Sequence, residues 1–341
     1  MSAPSPLPVL DLSGFRSDPD GPGGADFVEA LRDVFHGIGA AYLVGHGVSD
    51  ELVARVREVA EAFFALPESE RLAIENVHSP QFRGYTRLGN EHTNGQRDLR
   101  DQIDIGREVP APEIGPDDPA WLRLRGPNLW PAGLPAFRTA VSAYNEALEQ
   151  AGHVLMRAVA LALGQPADHF DALVTPPEVL TKIIRYPAPS ETFPTDQGVG
   201  AHTDGGFLTL LQQDTVGGFE AEVGGRWVSV PALPGSFVVN IGELLQLVSG
   251  GYFRATPHRV VSPPKGVQRI SLAYFFNPRF EARIVPVTLP AALAAEAPGG
   301  ESTDPDNPIL SNYGFNSLKV RLRAHPDVAE RHHADLLARA D

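Results

Sequence analysis

Apolar positions recur at three- and four-residue steps in the first half of the chain, which is the spacing of one face of a helix. Residues 27–37 place Phe27, Leu31, Val34 and Phe35 on one side, and Ser49-Asp50 can cap a second helix over 51–65. A short helix starts at Pro67-Glu68-Ser69-Glu70. The longest periodic stretch is 134–163, where Phe137, Val141, Tyr144, Leu148, Ala151, Leu155 and Val159 repeat until Gly164-Gln165-Pro166 ends it. Short strands are predicted at 7–12 and 40–44. Residues 76–119 show no period and read as loop-rich, with Gln81-Phe82-Arg83-Gly84-Tyr85 placed to border a pocket.

Beyond residue 178 the period changes. Short runs bounded by Gly- and Pro-containing turns predict strands at 179–186, 199–203, 208–213, 219–223, 227–231, 236–241, 258–262 and 269–277. Eight such strands closing on themselves describe a double-stranded β-helix, or jelly roll. The fold class expected is therefore α+β: a jelly-roll core, an N-terminal mixed helical region and a long backing helix. A single domain spans 1–341, divided into a mixed region (1–175), the core (176–285) and a C-terminal segment (286–341). That segment holds a loop over 290–308 and a helix over 326–340, with His332 and His333 facing solvent.

Composition narrows the partners. Of 341 residues, 43% are hydrophobic and 21% charged, as in ordinary globular proteins. The net charge of −14 argues against nucleic acid or an anionic membrane surface. Without cysteine there is no thiolate ligand, no thiol nucleophile and no disulfide. No run of 18 apolar residues exists to span a membrane. A cytoplasmic protein is expected, and oligomeric state is left open.

The chemistry gathers in Gly200-Ala201-His202-Thr203-Asp204 and His258. His-x-Asp occurs three times, but His169-Phe170-Asp171 and His333-Ala334-Asp335 lie in helix-like stretches, where residues two apart point away from each other. His202 and Asp204 sit in a strand-like setting and share a face. With His258, before the β-branched pair Val260-Val261, they make a two-imidazole, one-carboxylate set that fits mononuclear iron(II) and leaves positions open. In the next strand Arg269 and Ser271 share a face, and a guanidinium fork plus a hydroxyl receives a carboxylate well. An Arg ion-paired at a strand start is the plainer alternative. His46 and His153 are read as structural.

These residues resemble the isopenicillin N synthase-like family of iron(II)- and 2-oxoglutarate-dependent oxygenases. The resemblance rests on Gly200-Ala201-His202-Thr203-Asp204, Thr256-Pro257-His258-Arg259-Val260, Arg269-Ile270-Ser271, Arg185-Tyr186-Pro187 and Tyr313-Gly314, in the family's order and spacing over nearly the whole chain. It implies a jelly roll carrying Fe(2+) on His202, Asp204 and His258. It further implies 2-oxoglutarate held by Arg269 and Ser271 with Tyr186 adding a phenol hydrogen bond, O2 as oxidant, and ascorbate as a candidate reductant. A small-molecule C–H bond would be hydroxylated, desaturated or cyclised, with release of succinate and CO2.

Arg83 stands where isopenicillin N synthase holds a substrate carboxylate, and Lys182 where ethylene-forming relatives carry an Arg, so a carboxylate-bearing substrate is in view. Phe275 and Asn277 are further pocket candidates. Two departures stand out: Ile184 replaces an Asn common in plant relatives, and Leu180 a substrate-binding Ser. Two other readings stay open at this stage. One is an isopenicillin N synthase-type or ACC oxidase-type iron oxidase without 2-oxoglutarate; the other is a non-catalytic jelly-roll binding or sensor protein.

Overall fold

Fourteen strands and a set of helices build the computed structural model, which describes residues 6–191, 193–299 and 308–337. The strands are β1 (Val9–Asp11), β2 (Ala40–Val44), β3 (Gly84–Thr86), β4 (His92–Thr93), β5 (Gln96–Arg97), β6 (Asp101–Gly106), β7 (Glu178–Tyr186), β8 (Gln197–His202), β9 (Leu208–Gln212), β10 (Phe219–Val223), β11 (Arg226–Ser229), β12 (Phe237–Ile241), β13 (His258–Val261) and β14 (Arg269–Asn277). The last eight are the expected core strands. They form two facing sheets, β12-β9-β14-β7 and β11-β10-β13-β8, and the first is extended by β2 and β1 on one side and by β6 and β3 on the other. The jelly roll is thus a sandwich with an enlarged major sheet.

β7 and β14 pair antiparallel over nine residues, from Arg269 opposite Tyr186 to Asn277 opposite Glu178. Alternation divides β14 between two environments. Ile270, Leu272, Tyr274 and Phe276 join the core under the helices, whereas Arg269, Ser271, Ala273, Phe275 and Asn277 face the space between the sheets. The long helix Pro135–Ala162 backs this sheet. Gly152 lets it come close, since a Cβ there would lie 2.3 Å from the Phe276 ring. A glycine in a helix interior costs about 1 kcal/mol relative to alanine, which close packing here offsets.

Four expectations need correction. Residues 76–119 contain β6, all six of whose residues are buried although Asp101, Gln102 and Asp104 are polar. The loop 290–308 contains the short helix Ala291–Ala294. The C-terminal helix is two pieces, Pro326–His332 and Ala334–Leu337, and residues 338–340 lie outside the described residues. At the break His333 is fully buried rather than in solvent; it stacks on Phe82 at 5.0 Å, with Nε2 2.8 Å from the Pro80 carbonyl. His46 is structural, buried edge-on against Phe237, with Nε2 3.1 Å from the Gly235 carbonyl.

His325 is buried as well, with no hydrogen-bond partner for Nε2 among the described residues. Burial pushes it from 6.5 down to about 4, despite Glu91 and Asp104, which favour its protonation, and with Lys182 and Arg321 opposing it. The unfolded chain therefore takes up this proton first as pH falls. Stability from the neutral imidazole is complete above about pH 6.5 and is lost progressively toward pH 4, by up to about 3 kcal/mol. Melting temperature measured from pH 7 to 4.5 should fall less steeply in His325→Gln than in the wild type; parallel curves would refute this role.

Candidate metal and cosubstrate site

β8 and β13 pair so that His202 and His258 stand directly opposite each other. β8 ends at His202, one residue sooner than expected, and the following turn carries Asp204 round between the two rings. Asp204 Oδ1 lies 3.7 Å from Nε2 of each histidine. One donor atom from each of the three lies within 4.8 Å of the others, the only such grouping of acids and imidazoles among the described residues.

Hydrogen bonds determine which atoms point inward. His202 Nδ1 is 2.8 Å from the Gly200 carbonyl and His258 Nδ1 3.0 Å from the Thr256 carbonyl. A carbonyl only accepts, so the proton sits on Nδ1 in each ring and the Nε2 lone pairs are left for a metal. Burial and the neighbouring His258 push His202 down to about 4, which keeps it neutral. Burial alone would raise the Asp204 carboxyl, but His258, His202 and donors from Thr209 and Asn240 hold it below its ordinary value. Thr209 Oγ1 and Asn240 Nδ2 both donate to Asp204 Oδ2, leaving Oδ1 turned to the histidines. Beside them Thr203 donates to Glu243 at 2.6 Å. Sequence reasoning missed Thr209 and Asn240; the available signal was a lone polar residue inside each apolar run, Phe207–Leu211 and Phe237–Ile241.

Arg269 lines a cavity of about 650 Å³, and Ser271, two residues along β14, is on the same face of the strand. Both are fully buried, and neither the Ser271 hydroxyl nor any of the three guanidinium nitrogens has a hydrogen-bond partner. Arg269 lies over the Tyr186 ring at 4.7 Å, and its one carboxylate neighbour, Asp214, is 4.0 Å away. Leaving a buried guanidinium unbonded costs several kcal/mol, so this end fits a bound acid. The residues therefore suit both groups: three donors with open positions for iron(II), and an orphaned cation and hydroxyl for a carboxylate.

The remaining expected residues line the cavity as well: Arg83, Lys182, Phe275 and Asn277. Lys182 is already engaged, 3.0 Å from Glu91 and 3.0 Å from Asp104. Asn277 accepts from the Phe207 amide at 3.2 Å and so fastens the turn after Asp204. Arg83 makes no ion pair among the described residues. Ile184 adds an apolar wall beside Ser271.

Comparison with known proteins gives a consistent picture. A family model described as the 2OG-Fe(II) oxygenase superfamily matches residues 179–278, and one described as non-haem dioxygenase in morphine synthesis N-terminal matches residues 7–133. The chain is 33% identical to 2-oxoglutarate-dependent dioxygenase frbJ of Dothideomycetidae sp., covering 95% of this chain and 91% of that protein. It is 35% identical to a homoarginine-6-hydroxylase of Oryza sativa subsp. japonica, covering 82% and 88%. Among solved structures it is similar to a Neurospora crassa enzyme in complex with alpha-KG and thymine, with TM-score 0.73, 26% identity, and 92% and 96% of the two chains covered.

Removing a group that orients a metal ligand weakens metal binding by about 10- to 100-fold. Anaerobic calorimetry with Fe(II) should show that drop for Asn240→Ala and no measurable binding for Asp204→Ala. Wild-type affinity in Asp204→Ala would place the metal elsewhere.

Proposed function

Because the chain belongs to the 2OG-Fe(II) oxygenase superfamily, we propose that His202, Asp204 and His258 hold its iron(II) and that Arg269 and Ser271 receive the far carboxylate of 2-oxoglutarate. The protein is a non-haem dioxygenase that uses Fe2+, 2-oxoglutarate and O2 to oxidise a C–H bond of a small molecule. The observation that most supports these residue roles is the buried, unbonded Arg269 beside the unbonded Ser271 hydroxyl.

O2 is the oxidant; bound iron(II) would activate it, and 2-oxoglutarate would supply two of its four electrons and leave as succinate and CO2. The chain's own residues set the conditions. Tyr186, under the Arg269 guanidinium, holds the fork against the cavity wall by a cation–π contact. Ser271, one pair along the same face of β14, offers a hydroxyl to the same acid. Val199, Leu211, Ala273 and Phe275 give the centre of the cavity an apolar lining that excludes water from the reacting C–H bond. Thr209 and Asn240 keep one Asp204 oxygen occupied, so the other stays directed at the metal.

The relatives named for 2-oxoglutarate support this reading over an oxidase that does without the keto acid and over an idle binding protein. Their names and bound molecules, homoarginine and thymine among them, are small molecules, and a small-molecule substrate is part of the same proposal. Within it, Phe275 contacts the substrate body, whereas Lys182 fastens Glu91 and Asp104 and Asn277 fastens the turn after Asp204. A cytoplasmic setting belongs to the proposal too, since a reducing compartment keeps iron ferrous.

Anaerobic titration of the iron(II) protein with 2-oxoglutarate should raise the weak visible charge-transfer band of a chelated keto acid. In Arg269→Ala the midpoint should move up by about 100-fold, the loss of about 3 kcal/mol expected for a buried charged pair. An unchanged midpoint would remove Arg269 from the cosubstrate site.

A further inference from the structure

The ladder that carries His202 is broken just before it. In the pairing of β13 with β8, Val260 stands opposite Val199 and His258 opposite His202. Two steps along β13, from 258 to 260, thus match three along β8, from 199 to 202, a bulge that puts an extra residue into the Gly200-Ala201 stretch. β8 is also the last strand of its sheet, so no further strand of that sheet supports its other side. The Gly200 carbonyl nonetheless has a set task, because His202 Nδ1 donates to it at 2.8 Å and this bond turns Nε2 inward. A glycine with two soft dihedrals does not hold a carbonyl in one direction by itself.

The small hairpin of β4 and β5 supplies what the sheet lacks. Its two-residue turn, Asn94-Gly95, has both residues in the left-handed region, with φ at +50° and +74°. Thr93 lies against β8: a Cβ on Gly200 would fall 3.0 Å from Thr93 Cγ2, so the glycine that loosens the strand is also what admits the hairpin. The exposed Asn94 donates from Nδ2 to the Ala201 carbonyl at 2.9 Å.

Asp98, one residue beyond the hairpin, is fully buried and uses both carboxylate oxygens. Oδ1 accepts from the Gly200 amide and from Gln197 Nε2, each at 3.1 Å. Oδ2 accepts from the Thr93 hydroxyl at 2.7 Å and from Arg100 at 3.0 Å. One side chain therefore joins the hairpin, the bulged strand and a balancing cation, and a carboxylate buried this deeply is stable only with such partners. The Gly200-Ala201 stretch is gripped by Asp98 at its first amide and by Asn94 at its last carbonyl. The carbonyl that holds the His202 proton lies between these two grips.

Resting on the iron assignment proposed above, we propose that Asp98 is a positioning residue for the metal: by holding the Gly200 amide it fixes the carbonyl that orients His202, and so keeps His202 Nε2 aimed at the iron. Asp98 stands outside the cavity lining and acts through the backbone of β8. The hairpin shares the task, since Thr93 and Asn94 bind to the same clamp from the other side.

The test combines anaerobic Fe(II) calorimetry with the visible charge-transfer band that the iron(II) protein forms with 2-oxoglutarate. Asp98→Ala should weaken Fe(II) binding by about 10- to 100-fold, the effect of losing a group that orients a metal ligand. At saturating iron its band should also move in wavelength, because a displaced imidazole changes the field at the metal. Asp98→Asn keeps an oxygen for the Gly200 amide and should recover most of the affinity and the wild-type band position. Asn94→Gly preserves the left-handed turn and removes only an exposed donor, so it folds; it should weaken iron binding by roughly 2- to 10-fold, the worth of one ordinary hydrogen bond.

Wild-type affinity and band position in Asp98→Ala, even with a lowered melting temperature, would reduce Asp98 to a structural role and overturn the inference. So would an Asp98→Asn protein as impaired as Asp98→Ala. Should Asp98→Ala not fold, wild-type affinity in Asn94→Gly overturns it instead. A wild-type protein that binds no Fe(II), or an Asp204→Ala variant that binds it fully, would overturn the iron assignment itself and this inference with it.

Discussion

The nine-residue ladder between β7 and β14 is the constraint on which the site depends. Because side chains alternate across a sheet, this one register sends Ile270, Leu272, Tyr274 and Phe276 under the helices and Arg269, Ser271, Ala273 and Phe275 to the opposite face, where Arg269, Ala273 and Phe275 line the cavity. A slip of one residue would bury Arg269 against the long helix and turn Leu272 toward the metal. β7 repeats the arrangement, presenting Tyr186, Ile184, Lys182, Leu180 and Glu178 on the same side. The cavity floor thus runs from the buried, unbonded Arg269, over an apolar middle, to a polar far end.

Electrostatics then separates what the fold has settled from what it leaves for ligands. A low-dielectric cavity magnifies every unmatched charge. Three cations near its far end are tied to Glu91, Asp98 and Asp104, joining the segments around β4 and β5 and the helix Tyr313–Ala324 to the sheet. Arg269 and Arg83 are not tied in this way. Arg269 and Arg83 are thus the buried guanidinium groups of the cavity that lack a close carboxylate among the described residues.

Much of this was legible in the chain, for reasons that differ by element. The helices over 51–65 and 134–163 carry their own period and form within a residue of their expected bounds, while the one expected over 27–37 begins earlier, at Pro22. The core strands were readable because short apolar runs alternate with glycine turns. The facing of His202 and His258 was foreseeable from strand geometry, and the register bears it out. β6 was hidden because its acids look like loop residues. What buries Asp101 and Asp104 is Arg185, 84 residues from Asp101, and Arg321, 217 residues from Asp104. No local pattern holds that information. His333 was misplaced for the same reason: its burial depends on Phe82, and its hydrogen bond reaches Pro80, 253 residues away.

A crystal structure of the anaerobic iron(II) complex with 2-oxoglutarate would test the central claim most directly. The expected result is iron bonded to Nε2 of His202, Nε2 of His258 and one oxygen of Asp204, with the far carboxylate of the keto acid hydrogen-bonded to Arg269 and Ser271 and Arg83 still unpaired. Iron held by other residues, or the keto acid's far carboxylate seated on Arg83 with Arg269 left unbonded, would contradict it.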